Sequence, residues 1–164
     1  MDSQNEQPTF QFKPLRWADA WAIGGWRYAA PYDVYDLERA PLLAWVLLRG
    51  LNAALGYEVY GVWNEAGDLV GTFMFTKAAQ GGITLGLAMR PDLTGKGIGL
   101  AFVRAGVDFA KERFTPRYLR LDVAEFNQRA IKVYERAGFQ PGARTFQWRK
   151  RGKKLWHREM RREP

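Results

Sequence analysis

Apolar positions along this chain follow two periods, one near 2 and one near 3.6, and the switches between them mark its elements. Residues 10–15 read as a first strand. Residues 17–28 and 37–51 read as two helices, with the tight segment Ala30-Pro31-Tyr32-Asp33 between them. Pro41 falls near the start of the second, where a proline does least harm to a helix. Residues 57–63 are aromatic and β-branched, Asn64-Glu65-Ala66-Gly67-Asp68 supplies turn chemistry, and residues 69–76 return as the second arm of a hairpin. Gln80-Gly81-Gly82 then turns the chain into residues 83–89. That run is nearly all apolar, as a central strand covered on both faces should be.

Residues 98–113 carry apolar side chains at 98, 101, 102, 105 and 109, a helical stripe, and a second stripe at 100, 103, 107 and 110. This helix is expected to be buried on more than one side. Pro116 precedes a strand at 118–123, and residues 127–137 form a short helix that Gly138 ends. Residues 139–148 and 155–160 close the chain as an antiparallel pair around Arg151-Gly152-Lys153. The predicted order is β-α-α-β-β-β-α-β-α-β-β. It describes an α/β fold on a mixed, mostly antiparallel sheet of six to seven strands with about four helices.

Composition narrows what such a fold can do. At 164 residues the chain fits one domain, 1–164, large enough to bury about 70% of its unfolded surface without a metal or disulfide staple. It has no cysteine, which excludes a thiol nucleophile, a thiolate metal site and a disulfide framework. One histidine, His157, leaves a zinc site or a Ser-His-Asp triad with little to stand on, so no metal is expected. The polar start Met1-Asp2-Ser3-Gln4-Asn5-Glu6 lacks the layout of a secretion signal, and the longest apolar run, residues 41–48, is too short to span a bilayer. No membrane partner and a cytoplasmic location are therefore expected. The net charge of +8 is lopsided: residues 1–76 hold five basic and nine acidic side chains, residues 77–164 twenty and eight. A half so basic attracts a polyanion, either a phosphorylated cofactor or nucleic acid, or else it is a solvated surface.

The Gly-rich turn Thr94-Gly95-Lys96-Gly97-Ile98-Gly99 lies between a buried strand and a helix, where free backbone N–H groups and close approach suit a phosphate. Its spacing is neither that of dinucleotide folds nor that of nucleotide-triphosphate loops. With the residues before it, Leu87-Ala88-Met89-Arg90-Pro91-Asp92-Leu93, it resembles the acetyl-CoA signature of the GNAT superfamily of N-acetyltransferases, whose core is [QR]-x-x-G-x-[GA]. Thr94 stands where that pattern has Gln or Arg, which removes a side-chain donor and leaves the backbone cradle. Downstream, Asn127-Gln128-Arg129-Ala130-Ile131-Lys132-Val133-Tyr134-Glu135-Arg136-Ala137-Gly138-Phe139 resembles the superfamily's second cofactor segment, N-x-x-A-[IV]-x-x-Y-x-x-x-G-F.

The resemblance implies an N-acetyltransferase that uses acetyl-CoA as co-substrate and an amine acceptor, either a small molecule or a protein N-terminus, working as a monomer or homodimer. It implies backbone contacts from Leu87, Ala88 and Met89 to the pantetheine arm. Gly95, Lys96, Gly97, Ile98, Gly99 and Leu100 would hold the pyrophosphate beside Thr94. Asn127 would contact the cofactor or act as a plain helix cap. Tyr134 would face the leaving thiolate or complete the core. Asp122 matches a proton-accepting glutamate of the superfamily, one methylene shorter, and reads otherwise as a strand-end residue; Glu58 is an alternative base. Trp26-Arg27-Tyr28, Tyr32 and Tyr35 either border the acceptor or pack as an aromatic cluster. Residues 144–162, with nine basic side chains against one acidic, suit a strand pair with one solvated face, and nucleic-acid contact is the weaker reading. A non-catalytic acetyl-CoA-binding regulatory domain is the remaining rival.

Overall fold

The computed structural model describes residues 8–150 and 152–164, so Arg151 of the last turn and the polar N-terminal stretch lie outside the described residues. Seven strands form one sheet in the order β1-β2-β3-β4-β5-β7-β6. They are β1 (Gln11–Pro14), β2 (Tyr57–Trp63), β3 (Leu69–Lys77), β4 (Gly82–Met89), β5 (Tyr118–Ala124), β6 (Gln140–Lys150) and β7 (Lys153–Arg162). All neighbours are antiparallel except β4 and β5. The helices are α1 (Trp17–Ile23), α2 (Arg39–Leu47), α3 (Arg49–Ala54), α4 (Gly99–Phe114) and α5 (Gln128–Arg136).

The first two helices differ from the expected pattern. α1 stops at Ile23 instead of reaching 28, because Gly24 and Gly25 follow and Gly24 caps the helix through Ala20 and Ala22 carbonyls. The expected helix over 37–51 divides in two at Leu48, whose φ of −97° and ψ of 20° leave the helical track just before Gly50. Five helices result where about four were expected. Between α1 and α2 the chain passes a cis Ala30–Pro31 bond and a single 3-10 turn, Tyr32–Tyr35.

Strand alternation sorts the core onto two faces. Phe73 and Phe75 of β3, Leu121 and Val123 of β5 and Met160 of β7 join Phe102, Val103, Val107 and Ala110 of α4 in one buried cluster, with Ile131 of α5. Leu15, Ala20, Ile23 and Leu42 form a smaller cluster with Val59 and Leu69 on the other face, under α1 and α2. Full burial of side chains such as Phe73 and Phe102 contributes about 1.5–3 kcal/mol each. Among the described residues no helix is long and apolar enough to cross a membrane.

Two glycines set how closely α4 lies against the sheet. The Phe102 ring covers Gly71 of β3, and the Phe73 ring covers Gly106 of α4, so a methyl at either glycine would fall well inside van der Waals contact with that ring. Helix propensity alone would make Gly106→Ala favourable by about 1 kcal/mol, whereas overpacking a filled core costs about 1–3 kcal/mol. Packing should win: Gly106→Ala is expected to lower the urea midpoint at unchanged m-value. Equal or greater stability of the variant would show that Phe73 moves aside freely.

Candidate functional site

The site begins where two strands separate. β4 and β5 pair only over Gly82↔Tyr118, Ile83↔Leu119 and Thr84↔Arg120. Beyond that point Leu85–Met89 keeps its ladder with β3 but has none with β5. The Arg90 N–H donates to the Val70 carbonyl at 2.8 Å, so by alternation the backbone groups of Met89 and Leu87 point the other way, into the gap. Leu87, Ala88 and Met89 are partly exposed there, unlike the ordinary core strand that their composition also suited. On the Met89 carbonyl sits the Tyr28 hydroxyl, donating at 2.6 Å.

The turn after β4 leads to the head of α4. Arg90 pairs with Asp92 at 2.7 Å, and a 3-10 turn covers Pro91–Leu93. The Thr94 hydroxyl donates to the Pro91 carbonyl at 2.8 Å and closes this turn, so it faces its own loop. Gly95 and Gly97 have φ of 78° and 84°, a region that side chains strain to enter. Around Gly97 no protein atom lies within 4 Å of where a Cβ would sit. α4 then starts at Gly99 with Ile98 as its cap, and among the described residues no side chain caps the N–H groups of its first turn. Lys96 is exposed beside them. From α5, the Arg129 guanidinium approaches Gly95 and rests over the Tyr32 ring at 4.5 Å. An open concavity, free N–H groups and flanking cations fit a pyrophosphate.

Asn127 caps α5: its side-chain oxygen accepts from the Ala130 N–H at 3.1 Å, and its amide donates to the Tyr35 hydroxyl at 3.3 Å. Two turns on, Tyr134 packs edge-on to Phe139 at 6.2 Å. Its hydroxyl has no hydrogen-bond partner among the described residues, and burial, helped by nearby Tyr35, raises its pKa above the ordinary tyrosine value. Asp122 lies on the opposite side of β5 from buried Leu121 and Val123, and makes no ion pair among the described residues. Partial desolvation raises its pKa, while Arg120 and Arg144 pull it down. Tyr134 and Asp122 therefore have separate sets of neighbours. Glu58 is tied to Arg113 at 3.2 Å and to the Tyr60 hydroxyl at 2.5 Å, two strands away from β4 and level with Leu85.

The segment between α1 and α2 bridges the gap, which spacing alone did not reveal. Tyr28 reaches β4, and Tyr35 reaches the head of α5; Tyr32 stacks near Phe126 at 5.9 Å. Buried Asp36 accepts the Tyr28 backbone N–H at 2.9 Å and fixes that residue. The sequence offers Trp26-Arg27-Tyr28, Tyr32 and Tyr35 as a border of the acceptor or an aromatic cluster, without these long-range bonds.

Residues 18–139 match the sequence profile of the acetyltransferase (GNAT) family. The chain belongs to this family. GNAT members take their acyl group from acetyl-CoA. Over 81 residues the chain is 40% identical to mycothiol acetyltransferase of Propionibacterium freudenreichii subsp. shermanii. That match covers 46% of this chain, which spans about a quarter (25%) of the curated relative's length. A spermidine N-acetyltransferase from Vibrio cholerae, solved with CoA and spermine, superposes with a TM-score of 0.77 at 18% identity, covering 96% of this chain and 95% of that one. A putative acetyltransferase from Acinetobacter baylyi gives 0.70 at 18%, covering 96% and 94%. At such identities the likeness establishes the GNAT fold.

A Gly97→Glu variant tests the cradle. The new side chain points into space that no protein atom claims, so the GNAT fold should survive with a loss of about 1–2 kcal/mol for the left-handed backbone. Acetyl-CoA at about 100 times its Kd should add about 2.7 kcal/mol of stability to the wild type and nothing to the variant. An undiminished shift in a folded Gly97→Glu protein would remove the pyrophosphate from this turn.

Proposed function

We propose that this chain is an acetyl-CoA-dependent N-acetyltransferase that passes the acetyl group directly to a primary amine in a ternary complex. The observation that carries the reading is the gap between β4 and β5 opening beside the Gly-rich turn, where Leu87 and the Met89 N–H have no ladder partner on β5. The related mycothiol and spermidine acetyltransferases support an amine acceptor. When bound, acetyl-CoA supplies an activated acyl carbon and a thiolate leaving group.

The Met89 N–H would stabilise the oxyanion that grows as the amine nitrogen bonds to that carbon. Tyr28, on the Met89 carbonyl, holds the strand end that carries this N–H. One C–N bond forms as one C–S bond breaks. Of the two protons the ammonium sheds, one leaves through Asp122 and water, and the other ends on the sulfur. Much of the acceleration comes from orienting two bound reactants.

Tyr134 is the proposed donor to that sulfur. Transfer from an ordinary tyrosine, at about 10, to a thiolate, at about 8.5, runs uphill by roughly 2 kcal/mol. Burial raises the Tyr134 value and makes full transfer harder. A hydrogen bond to the developing thiolate, held by a hydroxyl that stays neutral at physiological pH, is the more effective role. Asp122 has the complementary property, since its raised pKa makes it a better base than an exposed carboxylate.

Tyr134→Phe is expected to lower kcat by about one to a few powers of ten with acetyl-CoA affinity little changed. For Asp122→Asn the deficit in kcat/KM should be largest at neutral pH and shrink as pH nears the acceptor's own pKa. Its stability should move oppositely. With the folded pKa raised, the proton's stabilising effect is present at acid pH and lost as pH rises through the folded value. The Asn variant should therefore melt at or above the wild-type temperature at neutral pH. Full kcat in Tyr134→Phe makes that tyrosine a packing residue; an Asp122→Asn deficit equal at every pH makes Asp122 structural.

A further inference from the structure

The sheet face away from α4 and α5 holds two opposite charges, Asp122 and Arg144, that form no ion pair among the described residues. Asp122 of β5 stands across from Glu159 of β7, and on the far side of β7 the β6 strand bulges between Pro141 and Thr145. Gly142, Ala143 and Arg144 there oppose the single residue Glu159. Such a bulge re-aims the side chains it carries. Arg144 lies over the Phe146 ring at 4.8 Å, and Phe146 in turn stacks on His157 at 5.4 Å, on the same face as Asp122. Arg144 is near enough to act on the Asp122 carboxylate, yet the two form no ion pair.

Neighbouring charges are already matched. Arg120 bonds Glu159 at 3.1 Å and Thr84 Oγ1 at 2.7 Å, Arg158 meets Glu125 at 3.3 Å, and Lys153 meets Asp33 at 3.6 Å. Arg161 is engaged over the Tyr118 ring at 3.8 Å. Among the described residues Asp122 makes no ion pair and Arg144, held over the Phe146 ring, meets no carboxylate; the two stand apart beside the mouth of the gap. The floor leading to Met89 is made of small side chains, Thr84, Gly86 and Ala88, and is partly exposed, with Met74 beside it.

Resting on the N-acetyltransferase reading, we propose that the acceptor is an amine that also carries an anionic group, a carboxylate or a phosphate. Asp122 receives the ammonium end and Arg144 the anionic end. A neutral amine leaves Arg144 unanswered. A polyamine brings further positive charge within reach of Arg144, which has no carboxylate partner among the described residues, and like charges in proximity select against it.

Four probes test this: 4-aminobutanoate, 4-aminobutanamide, 3-aminopropyl phosphate and spermidine. CoA release should give the carboxylate or the phosphate a kcat/KM about tenfold or more above the amide, as a charge-assisted contact provides, with spermidine lowest. Whichever anionic probe leads identifies the anion. In Arg144→Gln the anionic-to-amide ratio should fall toward one through KM, and Arg144→Lys should recover part of it. A merely structural role would lower all four probes together. Spermidine or the amide leading in the wild type overturns the proposal, as does a ratio unmoved by Arg144→Gln. If no probe releases CoA, the N-acetyltransferase reading is what fails, and calorimetry on the CoA-bound protein still decides the acceptor site. Tighter binding of an anionic probe than of the amide, lost in Arg144→Gln, supports the site; equal binding refutes it.

Discussion

The site depends on an interruption in the sheet's hydrogen bonding. Parallel strands normally continue their ladder as far as both extend, because a buried N–H or C=O without a partner costs about 1–3 kcal/mol. Here β4 and β5 stop pairing after Thr84 and Arg120 although each runs on for several residues. Leu87 and the Met89 N–H, left without a ladder partner on β5, therefore face a space that polar ligand atoms can satisfy, while the Met89 carbonyl is met by Tyr28. Antiparallel ladders on the outer sides, β3 with β4 and β7 with β5, hold the two walls in place. Binding surface is gained without any special side chain on the strands.

Around that opening, the remaining parts divide the work by element. α4 offers the free N–H groups of its first turn, and α5 brings Asn127, Arg129 and Tyr134 to the other side. The segment between α1 and α2 clasps both walls, with Tyr28 on β4 and Tyr35 on α5. Asn127 does two things at once. Its side-chain oxygen caps the helix, and the amide nitrogen of the same side chain holds the clasp.

Much of this was legible from residue order. The hairpin of β2 and β3, the apolar β4 and the doubly striped α4 follow from local periodicity, which acts within ten or so residues, whereas the two proposed cofactor segments are legible through their resemblance to GNAT signatures. Where long-range packing decides, the sequence was silent. The break at Leu48 depends on how α2 and α3 lie against β2, and the ending of α1 on two glycines that a stripe-based reading passed over. That β7 inserts between β5 and β6 is a matter of global order, and it is this insertion that puts the Arg144 bulge level with Asp122. Tyr28 reads as the end of a helix, and Tyr35 gives no periodic signal; each makes one long-range bond that local periodicity does not encode.

The two bare positions where α4 meets the sheet, Gly71 and Gly106, have a consequence for how this protein tolerates change. α4 carries the anion-binding turn at its start, and its distance from β3 is set by aromatic rings lying directly on backbone. A side chain at either position must displace the facing ring or the helix, and a displaced helix moves the proposed cradle relative to the strand gap without touching a ligand. A saturation screen scored by catalysis would rank both glycines with the reacting groups. Scored by expression alone, it would rank them with the hydrophobic interior. Disagreement between two such maps is the signature of a residue that sets the separation between two half-sites.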